Sequence, residues 1–98
     1  MSQYDYQAID DLIHSRIRLS IIALLVSRSV ATFTYIKNKV NASDGNLSVH
    51  LRKLEQANYL AVEKQFIKRK PVSTYSITEK GRNAFQSYIQ HIEALINR

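Results

Sequence analysis

The chain has no cysteine, one proline and two glycines in 98 residues. The missing thiols remove disulfides, thiolate metal sites and cysteine nucleophiles together, and fit a reducing compartment. With so few turn formers, helices should dominate. The longest apolar run, Ile21 to Val26, is six residues, against the roughly 20 needed to span a bilayer. The opening residues, with Asp5, Asp10 and Asp11, lack the basic-then-apolar pattern of a secretion signal. There are no paired carboxylates, no nucleophile beside a base, no glycine-rich phosphate loop and no cluster of metal ligands. The expectation is a single domain, 1–98, in the cytoplasm. It should have no membrane span, no catalytic residue, no metal and no cofactor. A chain of this length buries a modest core and is marginal alone, which favours association with a second copy.

Acidic residues are also scarce where basic ones are dense. Residues 28–70 hold nine cations (Arg28, Lys37, Lys39, Arg52, Lys53, Lys64, Lys68, Arg69 and Lys70) and three acids (Asp44, Glu55 and Glu63). Their balance equals the whole formal charge of +6, because the remaining residues carry five of each sign. A basic block in the middle of a small domain, with neutral ends, is the footprint of a polyanion-binding face.

Apolar spacing divides the chain into elements. Tyr6, Ile9, Leu12 and Ile13 share one face at helical spacing, which predicts a first helix beginning near Tyr6. Ser15 is placed to cap a second helix, Arg16 to Val26, whose apolar residues lie all round the axis, as in a buried central helix. Thr32 should cap a short helix, Phe33 to Val40, with Asn41 and Ala42 as a tight connection. Ser43 should cap the next, running to about Ala57, with Leu47, Leu51 and Leu54 as its buried stripe and Asp44 at its positive end. Leu60 to Ile67 and Val72 to Ile77 read as a hairpin closed by a charged turn, Lys68-Arg69-Lys70-Pro71. Thr78 should cap a last helix from Glu79 to about Asn97.

Two short helices joined by a tight turn and followed by a basic hairpin give the order of a winged helix-turn-helix. The fold class is mainly α with a small β-hairpin. The recognition helix spans about 43–57, the wing about 60–77 and a C-terminal dimerisation helix about 79–97. With the leucine stripe inward, the opposite face presents Gly45, Asn46, Ser48, Val49, Arg52 and Lys53. Arginine and asparagine suit bidentate contacts to base edges. The cations Lys68, Arg69 and Lys70 suit phosphates or a minor groove.

These residues carry a family resemblance. The segments IDDLIHSRIRLSII at 9–22, SDGNLSVHLRKLEQANYL at 43–60, KRKPVSTYSIT at 68–78 and TEKGR at 78–82 resemble the small winged-helix transcriptional regulators related to the MarR and ArsR groups. The resemblance implies a cytoplasmic, dimeric repressor or activator, with Asp44 to Lys53 as recognition helix and Lys68 to Lys70 as wing tip. The chain departs from the pattern in three places. Asn58 stands where glycine is common, Arg16 where proline is common, and Lys68 or Arg69 where the wing often has glycine.

The expected partner is double-stranded DNA, read in sequence-specific fashion by a homodimer on a pseudo-palindromic site. The alternative is a winged-helix module that binds protein. The expected DNA-contacting set is Asp44, Gly45, Asn46, Ser48, Val49, Arg52 and Lys53, with Lys37, Lys39, Lys68, Arg69 and Lys70. Asp44 serves chiefly to stabilise its helix start, and Lys37 and Lys39 either meet phosphate or solvate a helix. Gly45 is read as admitting a close DNA approach rather than as a tolerated first-turn glycine. The dimer set is Tyr6, Ile9, Leu12 and Ile13 with Phe85, Tyr88, Ile89, Ile92, Leu95 and Ile96, whose seven-residue spacings form a seam. His50 reads as a boundary histidine and His14 as a junction residue. His91 and Glu93, two apart on a helix, point to different sides. Tyr4, Tyr6 and Tyr88 read as packing aromatics rather than the lining of a small-molecule cleft, and nothing names an effector.

Overall fold

The computed structural model describes residues 5–97. Its elements run α1 (Arg16–Arg28), β1 (Val30–Thr32), α2 (Phe33–Val40), α3 (Asp44–Gln56), β2 (Leu60–Ile67), β3 (Lys70–Ile77) and α4 (Glu79–Ile96). A three-stranded antiparallel sheet in the order β1-β3-β2 packs beside the helices. This is the mainly helical winged-helix arrangement expected.

All four helices start where a hydroxyl side chain accepts from an otherwise unpaired backbone N–H. Ser15 accepts from Arg18, Thr32 from Tyr35, Ser43 from Asn46 and Thr78 from Gly81. The end of α3 is equally local in origin. Asn58 takes a left-handed φ of 63°. Its N–H donates to the Glu55 carbonyl, while Tyr59 N–H donates to that of Leu54, both at 2.9 Å. This paired closure needs a left-handed residue after the helix, and asparagine fills the glycine position at small cost.

The core gathers on α1. Ile21, Ile22 and Leu25 are buried against Ile36 of α2, Leu47, Leu51 and Leu54 of α3, and Ala31, Leu60 and Tyr75 of the sheet. Truncating one of these fully buried leucines to alanine should cost about 2–5 kcal/mol. No helix among the described residues is long and apolar enough to cross a membrane.

Three features differ from expectation. The N-terminal helix is absent. Tyr6–Ala8 form one 3-10 turn capped by the Asp5 side chain, and Asp10 caps a second turn by accepting from Leu12 N at 2.8 Å and Ile13 N at 3.3 Å. Ser15 then caps α1, so three caps in eleven residues divide a segment whose apolar spacing alone suited a helix. Ile13 is nonetheless buried, and the Asp10 carboxylate accepts from the Tyr59 hydroxyl at 2.6 Å, fastening the segment to the body.

The second difference is β1, which pairs Val30, Ala31 and Thr32 with Ser76, Tyr75 and Thr74. The third is the wing turn, which is two residues rather than four. Lys68 and Arg69 make it, and Lys70 and Pro71 already belong to β3 opposite Ile67 and Phe66. Proline is tolerated there because the pair beyond the closing pair of such a hairpin exchanges no backbone hydrogen bonds, and β1 does not reach so far.

Candidate nucleic-acid interface

Helix α3 separates its two faces cleanly. Leu47, Leu51 and Leu54 are buried, whereas Asp44, Gly45, Asn46, Val49, Arg52 and Lys53 are exposed and Ser48 is half-buried. The exposed face is small at its N-terminal end. A β-carbon placed on Gly45 would meet nothing within 4 Å, so the fold does not require glycine there. Val49 offers an apolar surface between polar neighbours, of a kind suited to a thymine methyl group.

The α2–α3 corner is tied by charge. Lys37 Nζ lies 2.8 Å from an Asp44 carboxylate oxygen. Asp44 thus neutralises a neighbouring cation while sitting at the helix start. Lys39 turns elsewhere, its ammonium 5.5 Å from the Tyr35 ring centre. Arg28 lies over the same ring at 4.0 Å, and its Nη1 donates to the Tyr35 hydroxyl at 3.1 Å. This cation–aromatic cluster was missed in the sequence. Tyr35 and Lys39 stand at i, i+4, a readable spacing, but Arg28 reaches the ring from another helix.

A cleft separates α3 from the hairpin, lined by Phe33, Ser48, Arg52, Glu55, Lys64, Ser73 and Tyr75. Burial pushes the Tyr75 hydroxyl up from its ordinary range, and Glu55 adds to this while Arg52 opposes it. Tyr75 therefore stays neutral at the base of the cleft. At the wing tip Lys68 and Arg69 both adopt left-handed backbone, with φ of 50° and 66°. The glycine-poor wing still makes the tight turn its strand twist demands, but with strain at both residues.

His50 is half-buried at the edge of the exposed face of α3. Arg18 Nη1 donates to its Nδ1 at 2.9 Å, and Arg18 Nε donates to the Leu12 carbonyl. Because a guanidinium only donates, His50 Nδ1 must be unprotonated. Burial lowers the His50 pKa, and Arg18 and Lys53 lower it further.

The expected dimer residues divide. Tyr88 is buried by the chain's own packing, its hydroxyl 2.9 Å from His14 Nδ1, and Ile13 is buried too. Ile9, Leu12, Phe85, Ile92 and Leu95 are half-buried, while Tyr6, Ile89 and Ile96 face outward. Tyr4 lies outside the described residues. Among the described residues, no three side chains of metal-binding type come together.

The sequence pattern of the winged helix DNA-binding domain matches residues 17–96, nearly the whole of this fold. The chain belongs to the winged helix DNA-binding domain family. It is 41% identical over 81 residues to an uncharacterized protein of Methanocaldococcus jannaschii, covering 83% of this chain and 88% of that one. Its fold is similar to that of a transcriptional regulator homologue from Pyrococcus horikoshii OT3, with a TM-score of 0.81, 27% identity, and 88% and 85% of the two chains covered. A MarR-family transcriptional regulator from Silicibacter pomeroyi shares the fold at a TM-score of 0.70 and 19% identity, with 85% of this chain and 55% of that one aligned. Family and fold are those of transcriptional regulators and not of enzymes.

Proposed function

We propose that the protein is a sequence-specific regulator of transcription that binds double-stranded DNA as a homodimer on a pseudo-palindromic site, in the cytoplasm. The observation that carries this reading is the face of α3. It is small and uncrowded at Gly45, polar at Asn46 and Ser48, and cationic at Arg52 and Lys53, on a helix whose other side is locked into the core. Asn46 and Arg52 would read base edges in the major groove. Lys68, Arg69 and Lys70 would hold the flanking phosphates and Lys39 would add to that field, with Lys37 adding less because its charge is paired with Asp44. Asp44, already paired with Lys37, would set the helix start rather than read a base.

Helix α4 supports the homodimer. It is 18 residues long, and the molecule measures 59 × 25 × 21 Å. The exposed Ile89 and Ile96 continue its apolar stripe, and Ile96 is 73% exposed. Two-fold pairing through this helix would set two recognition helices about 34 Å apart, or a multiple of it, facing successive major grooves.

The test is selection of duplexes from a random-sequence pool, followed by binding across a salt series. An inverted-repeat motif is expected, with affinity falling linearly on log–log axes as phosphate contacts release counterions. Absence of duplex binding at about 50 mM salt would sink the reading and leave a protein-binding module in its place.

A further inference from the structure

Phe66 is 79% exposed, the highest value for a large hydrophobic side chain among the described residues. Register shows where it points. Leu60, Val62, Lys64 and Phe66 lie opposite Ile77, Tyr75, Ser73 and Pro71, so all eight share one sheet face. That face carries the buried Leu60 and Tyr75, and with Ser48 and Arg52 of α3 it walls the cleft beside the recognition helix. Phe66 therefore extends, away from the body, the same surface that begins at Arg52.

Its surroundings are cationic. Lys64 shares its face, and Lys68 and Arg69 form the turn just beyond it, while Lys70, opposite Ile67, falls on the other face. The wing's one acid, Glu63, falls on the opposite face by alternation, and its carboxylate accepts from the Gln65 side chain. An aromatic ring inside a group of cations complements a partner with anionic rims and an apolar, stackable interior. The minor groove of duplex DNA has that chemistry, with phosphates on both edges and, once a step unstacks, base faces within.

We infer that Phe66 is an apolar wedge that enters between base pairs in the minor groove beside the recognition helix, unstacking one step and kinking the duplex. The inference rests on the DNA-binding reading above. It also assigns the wing a share of sequence preference that needs no hydrogen bond. Pyrimidine–purine steps unstack at least cost, so a TA or CA/TG step should lie beneath the wing in preferred sites. The kink should open the step on its minor-groove side and bend the duplex toward the major groove.

The test uses the full chain and a duplex recovered from a random-sequence pool. The duplex carries a donor and acceptor dye at its ends, or 2-aminopurine at the step beneath the wing. The parent protein should shorten the end-to-end distance and raise 2-aminopurine fluorescence. Phe66→Ala should leave the bound duplex straight and stacked, bind roughly tenfold more weakly, and keep the salt slope. Phe66→Leu should retain much of the bend. Because the side chain is exposed, neither change threatens the fold. A straight, stacked duplex in the parent complex, or an undiminished bend with Phe66→Ala, overturns the wedge and leaves DNA binding standing. A Phe66→Ala protein that bends DNA normally but loses self-association in sedimentation assigns the ring to a contact between chains, and also overturns it. Failure to bind any duplex at about 50 mM salt removes the wedge and the regulator reading together.

Discussion

The backbone carbonyl of Tyr59 occupies the space that a β-carbon on Gly81 would need, and Ile77 Cγ1 would stand 3.0 Å from the same position. Thr78 sets this approach, donating its hydroxyl to the Asn58 carbonyl at 2.6 Å and its N–H to that of Tyr59 at 3.0 Å. Helix α4 is thereby docked on the end of α3. Gly81→Ala should cost about 1–3 kcal/mol despite the better helix propensity of alanine, because the obstructing atom is backbone. Gly45→Ala, in open space, should be neutral or stabilising by up to about 1 kcal/mol while weakening duplex binding. Denaturant unfolding and a duplex titration read both. Equal costs at the two sites would contradict the packing described.

His50 should make stability depend on pH. Its folded pKa lies below its ordinary value of 6.5. The unfolded chain therefore binds more protons in that window. The contribution is complete above about pH 6.5 and is lost as pH falls toward the folded pKa. Thermal midpoints should drop between about pH 7 and pH 5, and His50→Gln should flatten that drop. An unchanged slope in the variant would place the sensitivity elsewhere.

The wing turn should be improvable at the expense of binding. Lys68 and Arg69 hold backbone that asparagine and glycine adopt freely. Lys68→Asn combined with Arg69→Gly should stabilise the protein by about 1–2 kcal/mol. The same change removes two of the cations proposed to meet phosphate. The log–log salt slope should shrink by about 2. A more stable variant with an unaltered slope would show that the tip cations do not meet DNA.

Arg52 tests base reading. Arg52→Ala should cost roughly 1–3 kcal/mol on a selected duplex and relax preference at one base position. Changes at Lys68 or Lys70 should weaken selected and random duplexes more evenly. A repeat of the random-sequence selection with each variant makes the comparison, and an intact motif with Arg52→Ala would argue against the proposed docking.

The exposed residues of α4 test dimerisation without touching the core. Ile89→Glu with Ile96→Glu should keep the parent's helical content, lower the thermal midpoint modestly and yield a monomer in sedimentation. Operator affinity should then fall steeply, since one half-site replaces two. Persistence of a dimer would move the seam to another surface.

Much of this molecule was legible because its controls are local. Ser15, Thr32, Ser43 and Thr78 each act on a backbone N–H three residues onward, so helix starts could be read from single residues. The division of α3 into a buried leucine face and an exposed, largely polar face follows from helical spacing alone. The family's pattern over 43–60 pointed to α3 as the centre of the candidate interface. What escaped had to be decided between distant parts of the chain. The spacing of Tyr6, Ile9, Leu12 and Ile13 suited a helix, but Asp10 found Tyr59 across 49 residues and the segment folded into capped turns instead. Three residues, Val30 to Thr32, hold no strand pattern until β3 arrives beside them. Arg28 meets Tyr35, Arg18 meets His50, and Gly81 meets the Tyr59 carbonyl only once the helices are packed. Periodicity and capping are properties of neighbours along the chain and so determine which elements exist. Which elements touch, and which side chains remain outside, depends on how those elements share one small core, and this only the tertiary structure decided.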